Sequence, residues 1–242
     1  MCPTNVQAVE QLYRIQTDYR PSDAVRKQLQ EKSLIMVIGA ACEGKSTVIA
    51  EVVRQDPRFG IAGSFTTRDP RPDDIEKPYT YYPHTDDGLA QLFSRIGHRQ
   101  VVSYAVHPFS KHIYGTELTD YPKAYSLLDT IATSVAGFRE YGFNATEAVT
   151  IITTAEKWLA RFNERFPEGH PQRAARRDEA IQSFSWSLEQ TDTDHFWVDN
   201  SGDTPEKAAQ TIIQIALGKS KGDPEARRLC EESLAAAQKM TA

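Results

Sequence analysis

Cysteine is scarce in this chain of 242 residues: Cys2, Cys42 and Cys230 are all there are. An odd count at wide spacing builds no disulfide framework, and no two stand at zinc-pair spacing. Long apolar runs are missing too. The longest, LIMVIGAA, is far too short to cross a bilayer. Positive charge is in deficit, with 28 Lys and Arg against 33 Asp and Glu and a net charge of −5. That balance offers no basic field to a nucleic acid or an anionic membrane, and neither partner is expected. Internal repeats and low-complexity tracts are absent. The opening MCPTNVQAVEQ has neither the basic start nor the apolar stretch of a secretory signal, so a cytoplasmic protein is expected.

What is present is an ordinary globular composition, 40% hydrophobic and 25% charged, in a chain long enough to bury a full core. Short apolar runs alternate with helical periodicity. Strands are expected at 33–39, 60–65, 100–106, 124–129, 148–153 and 195–200. Helices are expected at 45–55, 86–96, 131–141, 154–165, 173–190 and 204–217, the last capped by Thr204 with Pro205 in its first turn. Such alternation implies an α/β fold with a mostly parallel sheet. Residues 1–32 are expected as a helical extension packed on the core but not part of it. There Val6, Val9, Leu12 and Tyr13 take helical spacing, and Ser22 or Asp23 caps a second short helix. Residues 219–242 are expected as a solvated amphipathic tail, with Asp223 as cap and Pro224 at its start.

The stretch GAACEGKST, Gly39–Thr47, fits G-x-x-x-x-G-K-[ST], with a strand before it and a helix after it. Glycines let the backbone curl so that successive N–H groups point inward at an anion. The helix that follows adds its uncapped N–H groups and positive dipole end. Lys45 can then reach the β- and γ-phosphates of a nucleoside triphosphate, and Ser46 can ligate Mg²⁺. Further on, GSFTTRDPRP (63–72) sets Arg68 and Arg71 beside Ser64, Thr66 and Thr67. Guanidinium forks suit phosphate oxygens, so a second phosphate site is expected there. YTYY (79–82) and HIYGT (112–116) add hydroxyls that can complete it.

These pieces, in this order, resemble guanylate kinases: the phosphate loop, SFTTRDPR, a tyrosine eight residues on, and YGT. EKWLARFNERF (156–166), with Arg161, Arg165 and then Arg176, resembles the arginine-bearing lid of that family. HFWVDN followed by a helix resembles its final strand. The likeness covers roughly residues 33–218 and implies a P-loop kinase with a small acceptor-binding region near 64–118 and a helical lid near 161–177. It implies ATP with Mg²⁺ as donor and GMP or dGMP as acceptor. Gly39, Glu43, Gly44, Lys45, Ser46, Thr47 and Asn200 would bind ATP. Ser64, Arg68, Arg71, Tyr79 and Tyr114 would hold the acceptor phosphate, with Thr116 facing its base. Lys45, Arg161, Arg165 and Arg176 would surround the transferring phosphoryl group.

The base-reading side departs from the family pattern. Guanylate kinases carry one acid before YGT and a second after the next strand, which accept from the N–H groups of guanine. Ser103 stands where the first is expected. Asp129 stands for the second in one register, and Ile131 takes its place in an ungapped one. A site built to bond its substrate discriminates strongly through such groups. Two alternatives therefore stand beside the nucleotide kinase. One is a ribose bisphosphate phosphokinase-like enzyme, which needs no base-reading acids. The other is a catalytically inactive binding module of the same fold, against which the intact Lys45 and Ser46 argue. Cys42, beside Lys45 and a helix start, is in surroundings that lower a thiol pKa. It is nonetheless read as a small filler residue; the alternative is a thiol whose oxidation would block ATP binding.

Overall fold

The computed structural model describes residues 3–70, 79–83, 85–107, 111–191 and 193–240. In chain order the elements open with α1 (Pro3–Ile15), α2 (Asp23–Leu29), β1 (Ser33–Ile38), α3 (Lys45–Gln55), β2 (Phe59–Ile61) and β3 (Ser64–Thr66). Next come β4 (Tyr79–Tyr81), α4 (Asp86–Gly97), β5 (Ser103–Val106), β6 (Ile113–Thr116), β7 (Tyr125–Asp129) and α5 (Val135–Glu140). The last are β8 (Ala145–Ile152), α6 (Ala155–Arg165), α7 (Arg173–Glu189), β9 (His195–Asp199), α8 (Glu206–Ala216) and α9 (Glu225–Lys239). They divide into two compact units. The first comprises Met1–Ser33, Gly60–Ser126 and Ala136–Ala145; the second comprises Leu34–Phe59, Leu127–Val135 and Thr146–Ala242. Among the described residues no helix is long and apolar enough to cross a membrane.

The second unit is built on a mostly parallel sheet of order β2-β7-β1-β8-β9. All six residues of β1 are buried, as a central parallel strand covered on both faces demands. Helices α3 and α8 pack together, and α9 packs on α6, α7 and β9. This corrects the expectation of a solvated tail. Ala226, Leu229, Cys230 and Ala237 of α9 join Trp158, Phe162 and Phe184 in one buried cluster. The charged residues of α9 occupy its other face, so its composition looked solvated while its apolar stripe faced the core. The Asp223 carboxylate accepts from Glu225 N at 3.1 Å, but the cap position of α9 falls at Pro224 and has no side-chain cap, so the expectation of Asp223 as the cap residue is corrected. At the start of α8, likewise, Pro205 occupies the cap position in place of the expected Thr204, and no side chain caps the helix.

The first unit holds a sheet of order β4-β3-β6-β5, in which β3 runs parallel to β4 and antiparallel to β6. One face is apolar. Phe65, Tyr104, Val106 and Ile113 pack there with Leu92 and Ile96 of α4. Val9 and Leu12 of α1 belong to the same cluster, so the N-terminal helices are core rather than an extension packed outside it. The tie is also polar: Tyr19 Oη donates to Val101 O at 2.7 Å, and Val106 N donates to Gln16 Oε1 at 2.6 Å. Ser22, not Asp23, caps α2. The strand expected at 60–65 is two strands, β2 and β3, which belong to different sheets and part at Ala62-Gly63. Gly63 N leaves the ladder to donate to Asp120 O at 2.8 Å. The strand expected from 100 begins at Ser103, and the helix expected over 131–141 is a short turn at 132–134 followed by α5.

Candidate functional site

In the second unit the chain leaves β1 at Ile38, turns through six residues and enters α3 at Lys45. Gly44 has φ +88°, and a Cβ there would lie 2.6 Å from Asn200 Nδ2, so only glycine fits. The first turn of α3 has no acidic residue and no side-chain cap. Its N–H groups are thus left for an external anion. Lys45 Nζ rests on the loop's own carbonyls, 2.7 Å from Gly39 O and 3.1 Å from Ala40 O. Asp129 Oδ1, at the end of β7, lies 3.8 Å from the same ammonium. Asp129, considered from sequence as a base reader, thus stands with the phosphate-loop lysine. Ile131, which replaces it in the other register, is 61% exposed.

Two of the three arginines expected at the transferring group lean on this loop. Arg161 Nη1 donates to Cys42 O at 3.5 Å, and the Arg165 guanidinium stands near enough to the Cys42 thiol to favour its ionised form. Arg176 instead pairs with Glu179 on its own helix at 2.7 Å. The Asn200 amide donates to Glu43 O at 2.8 Å, bracing the loop from the end of β9. Ser46 and Thr47 sit in the first turn of α3. Burial pushes the Cys42 thiol above its ordinary range and outweighs the nearby Arg165 and Lys45, which agrees with a small filler residue and not with an activated thiol. Glu43 also differs from a simple loop contact. Its side chain is fully buried, and Oε2 accepts from Thr153 N at 2.6 Å.

In the first unit strand register gathers the expected acceptor residues. Pairing Ser64 with Tyr79, Thr66 with Tyr81 and Tyr114, and Ser103 with Thr116 puts all of them on one face, opposite the apolar one. Arg68 follows in the same alternation, is 7% exposed, and holds its guanidinium 5.2 Å from the Tyr79 ring centroid and 5.9 Å from that of Tyr81. Rings this close favour the cation and shield it from water. Arg71 lies outside the described residues. The strands of this face carry no carboxylate on it among the described residues.

Its far end is a chain of three hydroxyls. Tyr121 Oη donates to Thr116 Oγ1 at 2.8 Å, and Thr116 Oγ1 lies 2.8 Å from Ser103 Oγ. Three hydroxyl hydrogens meet two internal bonds, so one remains on Ser103 or Thr116 to be donated outward. Tyr121 is wholly buried, and Thr116 is the acceptor of its hydrogen. Thr116→Val should therefore cost about 1–3 kcal/mol, and adding Tyr121→Phe should recover part of that loss. Urea unfolding of the single and double variants measures it. A double variant no more stable than Thr116→Val would refute the pairing.

Several contributors had no sequence signal. Thr153 acts through its backbone N–H, which any residue would supply. Trp158, whose indole N–H donates to Ala41 O at 3.0 Å, looked like a core residue of its helix. Tyr121 lies five residues beyond YGT but bonds back to Thr116.

No family model matches the chain, and no curated protein matches it. Among solved structures it is similar to a guanylate kinase from Anaplasma phagocytophilum, at 14% identity and a TM-score of 0.44, covering 80% of this chain and 87% of that one. It is also similar to a fungal RNA kinase, at 13% identity and a TM-score of 0.33, covering 87% and 98%.

Proposed function

We propose that this protein transfers the terminal phosphoryl group of ATP to a phosphate-bearing acceptor, a nucleoside monophosphate such as GMP or dGMP. The observation that carries the proposal is the convergence of Lys45, Asp129, Arg161 and Arg165 on one uncapped helix start. A loop that only held a phosphate would need the N–H groups alone. Cations added beside it suit the charge that spreads over the equatorial oxygens as a phosphoryl group moves. Loop N–H groups hold the donor, Lys45 leaves its resting carbonyls for the β- and γ-phosphates, and Arg161 and Arg165 approach from α6. The donor set fits Mg²⁺: the Ser46 hydroxyl and the Asp129 carboxylate are hard oxygen ligands beside a phosphate site. When bound, Mg²⁺ would neutralise charge on the donor phosphates. Arg68, with hydroxyls of Ser64, Tyr79 and Tyr114 on its face, would take the acceptor phosphate.

A second acceptor class is favoured by one observation. Among the described residues the strands of the hydroxyl-bearing face offer donors and no carboxylate, which suits an acceptor rich in oxygen atoms, such as a sugar bisphosphate. An ADP-release assay over GMP, dGMP, AMP, CMP, UMP, dTMP and ribose 1,5-bisphosphate separates the two. Turnover confined to nucleotides is expected. Turnover with ribose 1,5-bisphosphate alone would shift the acceptor to a sugar phosphate, and turnover with none would sink the kinase proposal.

A further inference from the structure

Glu43 is an unusual occupant of a phosphate loop, because an anionic side chain there opposes the anion the loop would hold. The structure turns it away from that anion and into the protein. Its Oε2 accepts from Thr153 N, just past the end of β8, 110 residues along the chain. Its backbone carbonyl accepts from the Asn200 amide, so the residue is held at both ends. Oε1 is buried without a hydrogen-bond partner, and so is Thr153 Oγ1. Glu43 itself is 0% exposed.

A carboxylate in this place would be a buried charge with one of its two oxygens unpaired, which is costly; the neutral acid avoids that cost. The charged and titratable groups around it are Lys45 and Cys42 on the loop, Arg161 on α6 and Cys230 on α9. Both cations favour ionisation, as does the Thr153 N–H. Burial outweighs them and pushes the carboxyl up to about 8.

We propose that Glu43 is a positioning residue of the phosphate loop: its neutral carboxyl group pins the crest of the loop to the end of β8, and its ionisation loosens the loop's hold on a nucleotide phosphate. The proposal rests on the ATP-binding reading of the loop given above. Two effects act together once the proton is lost to solvent. The carboxylate adds a negative charge beneath the loop, competing with phosphate for Lys45 and Arg161. It is also drawn toward water, away from Thr153 N. The sign for folding is the same. Between about 4.5 and about 8 the folded protein keeps a proton that the unfolded chain has lost. Stability therefore falls as pH rises through that window.

Calorimetric titration with ATP tests the proposal in wild type, Glu43→Gln and Glu43→Ala. Glutamine can accept from Thr153 N but cannot ionise; alanine can do neither. The readout is the ratio of affinities at about pH 6.5 and about pH 9.5 within each protein. With the carboxyl at about 8, wild type should lose affinity on the order of tenfold across that range. Glu43→Gln should lose about threefold or less, and Glu43→Ala should bind more weakly throughout. Amide exchange at Thr153 should stay protected in Glu43→Gln and lose protection in Glu43→Ala. A decline in Glu43→Gln parallel to that of wild type, or a flat wild-type profile, overturns the latch while the nucleotide reading stands. So does full Thr153 protection in Glu43→Ala. Absence of ATP binding by wild type at every pH overturns both.

Discussion

Lys45→Ala is expected to lower turnover about 10²–10³-fold, the usual effect of removing one charge-stabilising donor from a preorganised site. The ammonium is already at the loop. It rests 2.7 Å from Gly39 O and 3.1 Å from Ala40 O, carbonyls that, on the proposed function, it would exchange for phosphate oxygens. Removing it leaves these carbonyls and Asp129 without their cation, but the side chain carries little of the core. Stability should change by about 1 kcal/mol or less. The coupled assay and a melting curve together make the test. Unchanged turnover in a folded Lys45→Ala would refute the role of the loop in catalysis. Loss of ATP-dependent thermal stabilisation in the variant would tie the effect to the donor nucleotide rather than to the acceptor.

Trp158→Ala should give the largest loss of stability, about 3–5 kcal/mol, as deletion of a large buried aromatic does. Trp158 is wholly buried, with its ring centroid 5.2 Å from that of Phe162 and 5.4 Å from that of Phe184. For a chain of this size that corresponds to a drop in Tm of about 10 °C. The indole also holds the loop through Ala41 O. Trp158→Phe keeps most of the packing and deletes only the donor. It should therefore cost less stability than the alanine variant while raising the KM for ATP. Urea unfolding and steady-state kinetics on both variants separate packing from loop support. Equal losses of stability would refute the separation.

Local patterns were legible before the structure. The strand–loop–helix at 33–55 and its glycines are contiguous, and each residue's role follows from its neighbours. The alternation of strands and helices marked the α/β architecture, because burial imposes periods of two and 3.6 on apolar residues. The pieces that went astray are those whose partners lie far along the chain. α9 seemed solvated because its polar face dominates its composition, and its small apolar residues have meaning only against Trp158 and Phe162. The cationic sequence neighbours of Cys42 favour a thiolate, yet its thiol answers to burial, which spacing does not reveal. The break between β2 and β3 follows from a bond between Gly63 and Asp120, 57 residues apart.

By itself, then, the sequence determined a strand–loop–helix suited to an anion, since backbone curl, helix dipole and Lys45 all come from nine consecutive residues. It also placed Ser64, Tyr79, Tyr114 and Thr116 in short segments rich in hydroxyls. Only the tertiary structure decided that strand register would set these residues on one face. It decided too that Glu43 would turn inward to Thr153, and that Tyr121 would donate to Thr116. The physical reason is the same in each case. Burial and hydrogen-bond direction depend on what the folded chain brings alongside, and the free energy of a buried polar group is decided by that partner rather than by its neighbours in sequence.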